Sequence, residues 1–164
     1  MSAQVESVRG PHWTRIRALR LEALASDPEA FGSTLEAERD RPETWWRERA
    51  DTPTTLSLIA RVNGRDAGLC VASPWRELPG TLGLFGMWVA PWARRHGAGA
   101  ALVRAVLNHA RADGYRRVQL DVEARNAPAR ALYERSGFRP TGHRYRQEPP
   151  REHLVEEQLV HELD

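Results

Sequence analysis

The sequence predicts an α/β fold: one mixed, mostly antiparallel sheet of roughly six to seven strands with helices on both faces. Three observations carry that reading. Two runs rich in β-formers, Thr54 to Val62 and Arg65 to Ser73, flank Asn63-Gly64, a strong two-residue hairpin signal. From Leu82 to Val122 the chain reads apolar strand, basic glycine loop, helical stripe, strand, which is the order of a right-handed parallel crossover. Helical patterns before residue 50 and after residue 97 supply elements for both faces of the sheet.

Taken in order, Gln4 to Val8 alternates and forms a first strand. Pro11 to Ser26 is a helix whose apolar face carries Trp13, Ile16, Leu19, Ala23 and Leu24, with Arg15, Arg17, Arg20 and Glu22 mostly off it. Pro28 and Gly32 bracket a break, and Phe31-Gly32-Ser33-Thr34 is a turn. Thr34 to Arg39 reads as one or two helical turns, and Pro42 opens a short helix containing Trp45 and Trp46. The hairpin follows, then the loop Pro74 to Gly80 and the central strand Leu82 to Val89. Val103, Val106, Leu107 and Ala110 recur on one helical stripe, which Gly114 ends. Arg117 to Val122 is the next strand, and Asn126 with Pro128 starts a helix that Gly137 stops. Phe138 to Arg146 and Val155 to Leu163 are late strands joined by the polar loop Gln147 to His153.

Bulk properties narrow the function. A chain of 164 residues with 41% hydrophobic content suits a single domain spanning 1–164. There is no apolar run long enough to span a bilayer and no signal-peptide core at the start, so a cytoplasmic location is the expectation. Cys70 stands alone, which excludes a disulfide framework and a cysteine metal cluster; no metal is expected. The net charge is +2 and acids are interspersed with bases, so no nucleic-acid stripe is present. All 24 basic side chains are Arg, which removes lysine Schiff-base chemistry.

The chemistry concentrates at Arg94-Arg95-His96-Gly97-Ala98-Gly99-Ala100. A helix start presents unpaired N–H groups and the positive end of the macrodipole, so it attracts anions. The two arginines add charge that pairs with phosphate. No Gly-Lys-Ser/Thr follows, so this is not a P-loop, and G-x-G-x-x-G is absent as well. The R-x-x-G-x-G arrangement resembles the acetyl-CoA pyrophosphate loop of the GNAT superfamily of N-acetyltransferases. A second stretch, Asn126-Ala-Pro-Ala129-Arg-Ala-Leu132-Tyr133-Glu134-Arg-Ser-Gly137-Phe138, resembles that family's N-x-x-A-x-x-L-Y-E-x-x-G-F signature. It follows the loop at the family's interval, and Val89 and Pro91 fit the V-x-P lead into it. The resemblance covers roughly residues 55 to 163.

The resemblance implies acetyl transfer from acetyl-CoA to an amine acceptor in one ternary complex. It implies that N–H groups from Arg95 to Ala100 hold the pyrophosphate and that a backbone N–H of Met87, Trp88 or Val89 polarises the thioester carbonyl. The pantetheine arm would pair with that strand edge, opened by a bulge at Gly86. Tyr133 matches the family's general acid for the leaving thiolate. Asn126 matches a residue contacting the pantetheine arm, or serves only as a helix cap. The amine needs a base, and here the sequence departs from a common pattern: Leu82 to Val89 holds no ionisable group where many members carry Glu. Asp121, in LDVEARN, resembles the base-bearing L-E-V-R-x-x-N stretch of protein N-terminal acetyltransferases. Glu36 is another option if the Phe31 segment folds over the cleft, and His143 and Tyr145 would orient the amine. The acceptor pocket is expected from Ala30 to Trp46 and Gln147 to His153, with Phe31, Glu36 and Trp46 in its wall and Glu38 and Glu148 available to a cationic acceptor. The missing strand Glu keeps a second class open, an acyl-CoA-binding sensor or interaction module without turnover. An antiparallel homodimer through the late strands also fits.

Overall fold

Alternation along single strands sets two apolar faces. On β2 (Leu56–Val62), Leu58, Ala60 and Val62 pack to one side and Ile59 to the other. The computed structural model describes residues 2–164. Its seven strands are β1 (Gln4–Val8), β2, β3 (Arg65–Pro74), β4 (Thr81–Val89), β5 (Arg117–Glu123), β6 (Arg139–Arg146) and β7 (Val155–Glu162). They form one sheet in the order β1-β2-β3-β4-β5-β7-β6, antiparallel except for the β4–β5 pair. The expected strand-helix-strand crossover is thus present, and β7 is inserted between β5 and β6.

Helix α1 (Trp13–Ser26) covers one face through Ile16, Leu19, Ala23 and Leu24, which join Ile59, Leu69 and Trp88. Helix α4 (Ala98–Ala112) covers the other through Leu102, Val103, Val106 and Ala110. Two short helices, α2 (Leu35–Arg39) and α3 (Glu43–Asp51), extend the α1 side, and α5 (Ala127–Arg135) lies beside α4. Local chemistry accounts for their ends. The Thr34 hydroxyl accepts from Ala37 N at 3.1 Å and caps α2, and Asn126 Oδ1 accepts from Ala129 N at 3.3 Å and caps α5. Asn63 (φ 54°) and Gly64 (φ 74°) form the tight hairpin turn that their sequence announces.

Two irregularities position the site. First, β4 and β5 pair only from Thr81↔Arg117 to Gly83↔Gln119, although both strands continue beyond. The sheet therefore parts at Leu84 and Leu120, leaving a notch between two strand edges. Second, β3 steps from Leu69 to Val71 while β4 steps from Trp88 to Phe85, so β4 carries one extra residue. Gly86 lies in that bulge at φ 60°, a conformation that costs glycine little. The expectation of a bulge at Gly86 that opens the sheet agrees with this geometry.

Candidate active site

The notch is a cleft of about 680 Å³. Its floor is Leu84 to Met87 on β4, and its walls include Asp121, Asn126, Tyr133, Tyr145 and Glu156. Phe31 and the loop 147–151 close one side. Arg151 ties those two segments together: its guanidinium donates to the carbonyls of Pro28 at 2.9 Å, Ser33 at 3.3 Å and Phe31.

At the mouth of the notch stands the start of α4. The first amide bonded into the helix is Ala101 N, which donates to Gly97 O at 2.9 Å. Among the described residues, the N–H groups of Arg95 to Ala100 donate no hydrogen bond. Arg95 (φ 68°) and Gly97 (φ 82°) are both left-handed, which bends the backbone into a concave row of amides. The two glycines differ in purpose. A Cβ on Gly97 would meet nothing within 4 Å, so φ alone selects glycine there. A Cβ on Gly99 would come within 2.9 Å of Leu132 Cδ2, so Gly99 lets α4 approach α5 closely. Ala98 is buried in the core and offers only its backbone, and Arg95 is exposed beside the row.

The strand residues sort themselves by direction. Ala90 N donates to Ala67 O of β3 at 2.7 Å, so alternation turns the amide of Trp88 toward β3 as well and those of Met87 and Val89 toward the notch. Trp88 is thereby placed outside the cleft, contrary to expectation: it is buried on the α1 side, and its Nε1 donates to Asp27 Oδ2 at 2.7 Å. Arg94 meets the same carboxylate at 2.8 Å and donates from Nε to Val89 O at 3.0 Å. It braces the loop against strand and helix, rather than reaching outward for phosphate as its sequence position suggests. Burial pushes the Asp27 carboxyl up, but the Trp88 and Arg94 contacts outweigh it and hold it below its ordinary value.

Tyr133 is buried, lies on α5 against Phe138, and faces the notch. Burial, together with the nearby Cys70, raises its phenol well above the ordinary value, so the hydroxyl keeps its proton throughout the neutral range. Asp121 sits across the cleft on β5 and accepts from the Tyr145 hydroxyl at 3.0 Å through Oδ2. Its Oδ1 is buried and has no partner among the described residues. Burial lifts this carboxyl above its ordinary value, while the Tyr145 hydrogen bond and the His143 charge pull it back. Glu156, opposite Tyr145 on the neighbouring strand, is raised as well by burial and by Asp121 and Glu123. Glu123 lines the same wall but spends its carboxylate on Arg125, at 2.6 Å from N and 2.8 Å from Nε. Asp121 and Glu156 have no salt bridge among the described residues, and Glu156 was not singled out from the sequence because only the β5–β7 pairing brings it to the cleft.

On the opposite wall the expected acceptor residues divide. Phe31 is buried at the cleft. Glu36 is exposed and lines neither the notch nor the cavity beside it, because on the short α2 it is Glu38 that turns inward. Glu38 pairs bidentately with Arg20, at 3.0 and 2.9 Å. Trp46 is 1% exposed and lines a neighbouring cavity between α1, α3 and β2–β4, not the notch itself. Arg20, read from the sequence as largely off the apolar face of its helix, borders both cavities.

Residues 17–138 match the family model described as Acetyltransferase (GNAT) family. The chain belongs to the GNAT acetyltransferase family. Among curated proteins, a mycothiol acetyltransferase of Beutenbergia cavernae is 41% identical over 126 residues, covering 75% of this chain and 40% of that protein. The chain thus spans about two fifths of the length of the mycothiol acetyltransferases it matches. The L-amino acid N-acetyltransferase AaaT of Escherichia coli is 28% identical over 127 residues, covering 74% of this chain and 76% of that protein. In fold, a GNAT structure from Kribbella flavida superposes with TM-score 0.79 at 22% identity, covering 99% and 98% of the two chains. An acetyltransferase from Salmonella typhimurium, solved with acetyl-CoA, gives TM-score 0.79 at 20% identity over 100% and 95%. GNAT acetyltransferases use acetyl-CoA, and the unpaired amide row at the start of α4 has the chemistry that favours an anion.

Proposed function

We propose that the protein transfers an acetyl group from acetyl-CoA to a primary amine of a small molecule or a peptide N-terminus, by direct attack in a ternary complex. The observation that carries this reading is one cleft in which a protonated phenol and a half-buried carboxylate face the same splayed strand edge. Acetyl-CoA supplies an acetyl thioester. The amides of Arg95 to Ala100 would bind its diphosphate, and the edge amides of Met87 and Val89 would receive the pantetheine arm and the thioester carbonyl. Asn126 lines the same cleft and, with Oδ1 engaged in the cap, still has its amide N–H groups to offer.

Tyr133 holds a proton that a departing thiolate needs, and its raised pKa keeps that proton in place until it is demanded. Asp121 lines the cleft with its Oδ2 held by Tyr145, and its carboxylate would take the proton of the incoming ammonium there, directly or through water. Glu156 adds negative potential that draws a cationic amine inward, whereas Glu123 is paired with Arg125. The names of the relatives, mycothiol acetyltransferase and L-amino acid N-acetyltransferase, support acetyl transfer, the second of them to an amino group. A binding module without turnover has no use for a proton donor and a proton acceptor in one cleft. The experiment is a thiol-release assay with acetyl-CoA over a panel of amines. Release above the background of thioester hydrolysis is expected for at least one amine class; background rates throughout, with acetyl-CoA bound, would favour the module.

A further inference from the structure

The cavity beside the notch has a chemistry of its own. It encloses about 320 Å³ between α1, α3 and the β2–β4 strands, and it meets the notch at Arg20, Phe85 and Gly86. Its polar lining is Arg20, Arg49 and the hydroxyl residues Thr52, Thr55, Ser57 and Ser73, with no carboxylate among them. Trp46, 1% exposed, contributes a ring wall, its Nε1 being buried with no acceptor among the described residues. Arg49, one helical turn on, lies over the Trp45 ring at 4.5 Å and only at 4.0 Å from Glu38. Arg20 spends Nε and Nη2 on Glu38, while its Nη1 points at the bulge, 3.4 Å from where a Gly86 Cβ would stand. Two guanidinium groups thus share one carboxylate. Burial and the neighbouring Arg20 charge disfavour the charged form of Arg49, and Glu38 only partly offsets them. The Arg49 side chain is 40% exposed, so solvent covers part of its charge, and an anion entering the cavity would meet both guanidinium groups.

We propose that this cavity is a carboxylate subsite for the acceptor, so that the amine acetylated in the notch belongs to a molecule that also bears a carboxylate. The inference rests on the proposed acetyl transfer. The layout matches a zwitterion: Asp121 and Glu156 face the amine in the notch, and the Arg49 and Arg20 guanidinium groups lie across the Gly86 bulge. The aromatic faces of Trp46 and Phe85 line the cavity, so an apolar body between the two charges also finds contact.

The test pairs amino acids of increasing amine-to-carboxylate separation, from α to ω, with their C-amidated counterparts in the thiol-release assay. The wild type is expected to favour acids over amides in kcat/KM by about tenfold or more, the loss of one charge-assisted hydrogen bond. Arg49→Gln should collapse that ratio through KM of the acids rather than kcat, and Arg49→Lys should restore part of it. Calorimetric titration with benzoate and benzamide reads the subsite without turnover: benzoate should bind more tightly, and Arg49→Gln should erase the difference. Equal use of acids and amides, with benzoate and benzamide bound alike, would overturn the subsite and leave acetyl transfer standing. Arg49-dependent benzoate binding with no amine acetylated would retain the anion pocket and overturn the transfer reading.

Discussion

Glu38→Gln removes one charge with almost no change in shape, and the structure fixes what that should cost. The Glu38 side chain is 4% exposed and its partner Arg20 13%, with two hydrogen bonds between them and Arg49 at 4.0 Å. Removing one member of a buried ion pair typically destabilises by about 3–5 kcal/mol, because the other charge stays buried without compensation. Arg20 keeps some solvent contact, so the lower end, about 3 kcal/mol, applies. For a chain of this size that is a fall in Tm of roughly 6–12 °C. The effect has a pH signature. Burial alone would raise the Glu38 carboxyl, but the Arg20 bonds and a Ser33 contact outweigh it and hold it below its ordinary value of 4.5. Its contribution is therefore fully present above that value and is lost as pH falls through the lowered one. Thermal melts of wild type and Glu38→Gln between pH 7 and pH 3 should show a wide gap that narrows only at the acidic end. A gap under about 0.5 kcal/mol at pH 7, the usual size of a surface substitution, would refute the claim that this pair is buried and structural.

Other outcomes follow from the same geometry. Tyr133→Phe should lower kcat by about 10²–10⁴-fold, the usual worth of a positioned acid, with CoA affinity in calorimetry little changed; equal turnover would remove the phenol from the mechanism. Asp121→Asn should abolish the acidic limb of the kcat/KM profile. Its raised pKa costs stability once pH rises through that value, so the same variant should melt higher than wild type at pH 7 while working worse. Tyr145→Phe deletes the hydrogen bond that lowers the Asp121 pKa, so the limb should move to higher pH. A limb unmoved in both variants would belong to the acceptor's own amine. Gly99→Ala should destabilise by about 1 kcal/mol through the Leu132 approach, and Leu132→Ala should relieve part of it in a denaturation cycle.

Much of this was legible in the chain. Asn63-Gly64 fixed a hairpin, the apolar stripe of α4 fixed a packed helix, and the α5 signature carries Tyr133, which lines the notch. Local chemistry sufficed there because each signal lies within one element. What the sequence hid depends on contacts between distant segments. Arg94 reads as a phosphate ligand until Asp27, 67 positions away, meets it. Glu36 and Glu38 are indistinguishable until the short α2 docks and turns one of them toward Arg20. Trp88 reads as part of the cofactor edge until β3 pairing sets the direction of its amide. The Arg49 and Trp46 cavity exists only because α1 and α3 meet over the same strands.

The account rests on the amide row at Gly97 gripping a diphosphate, and calorimetry reads that grip directly. Coenzyme A should bind the wild type, pantetheine without the diphosphate should bind far more weakly, and Gly97→Val should lose about tenfold in coenzyme A affinity as the left-handed turn resists a side chain. No heat from coenzyme A, or a Gly97→Val protein that binds it as tightly as the wild type, would contradict the account.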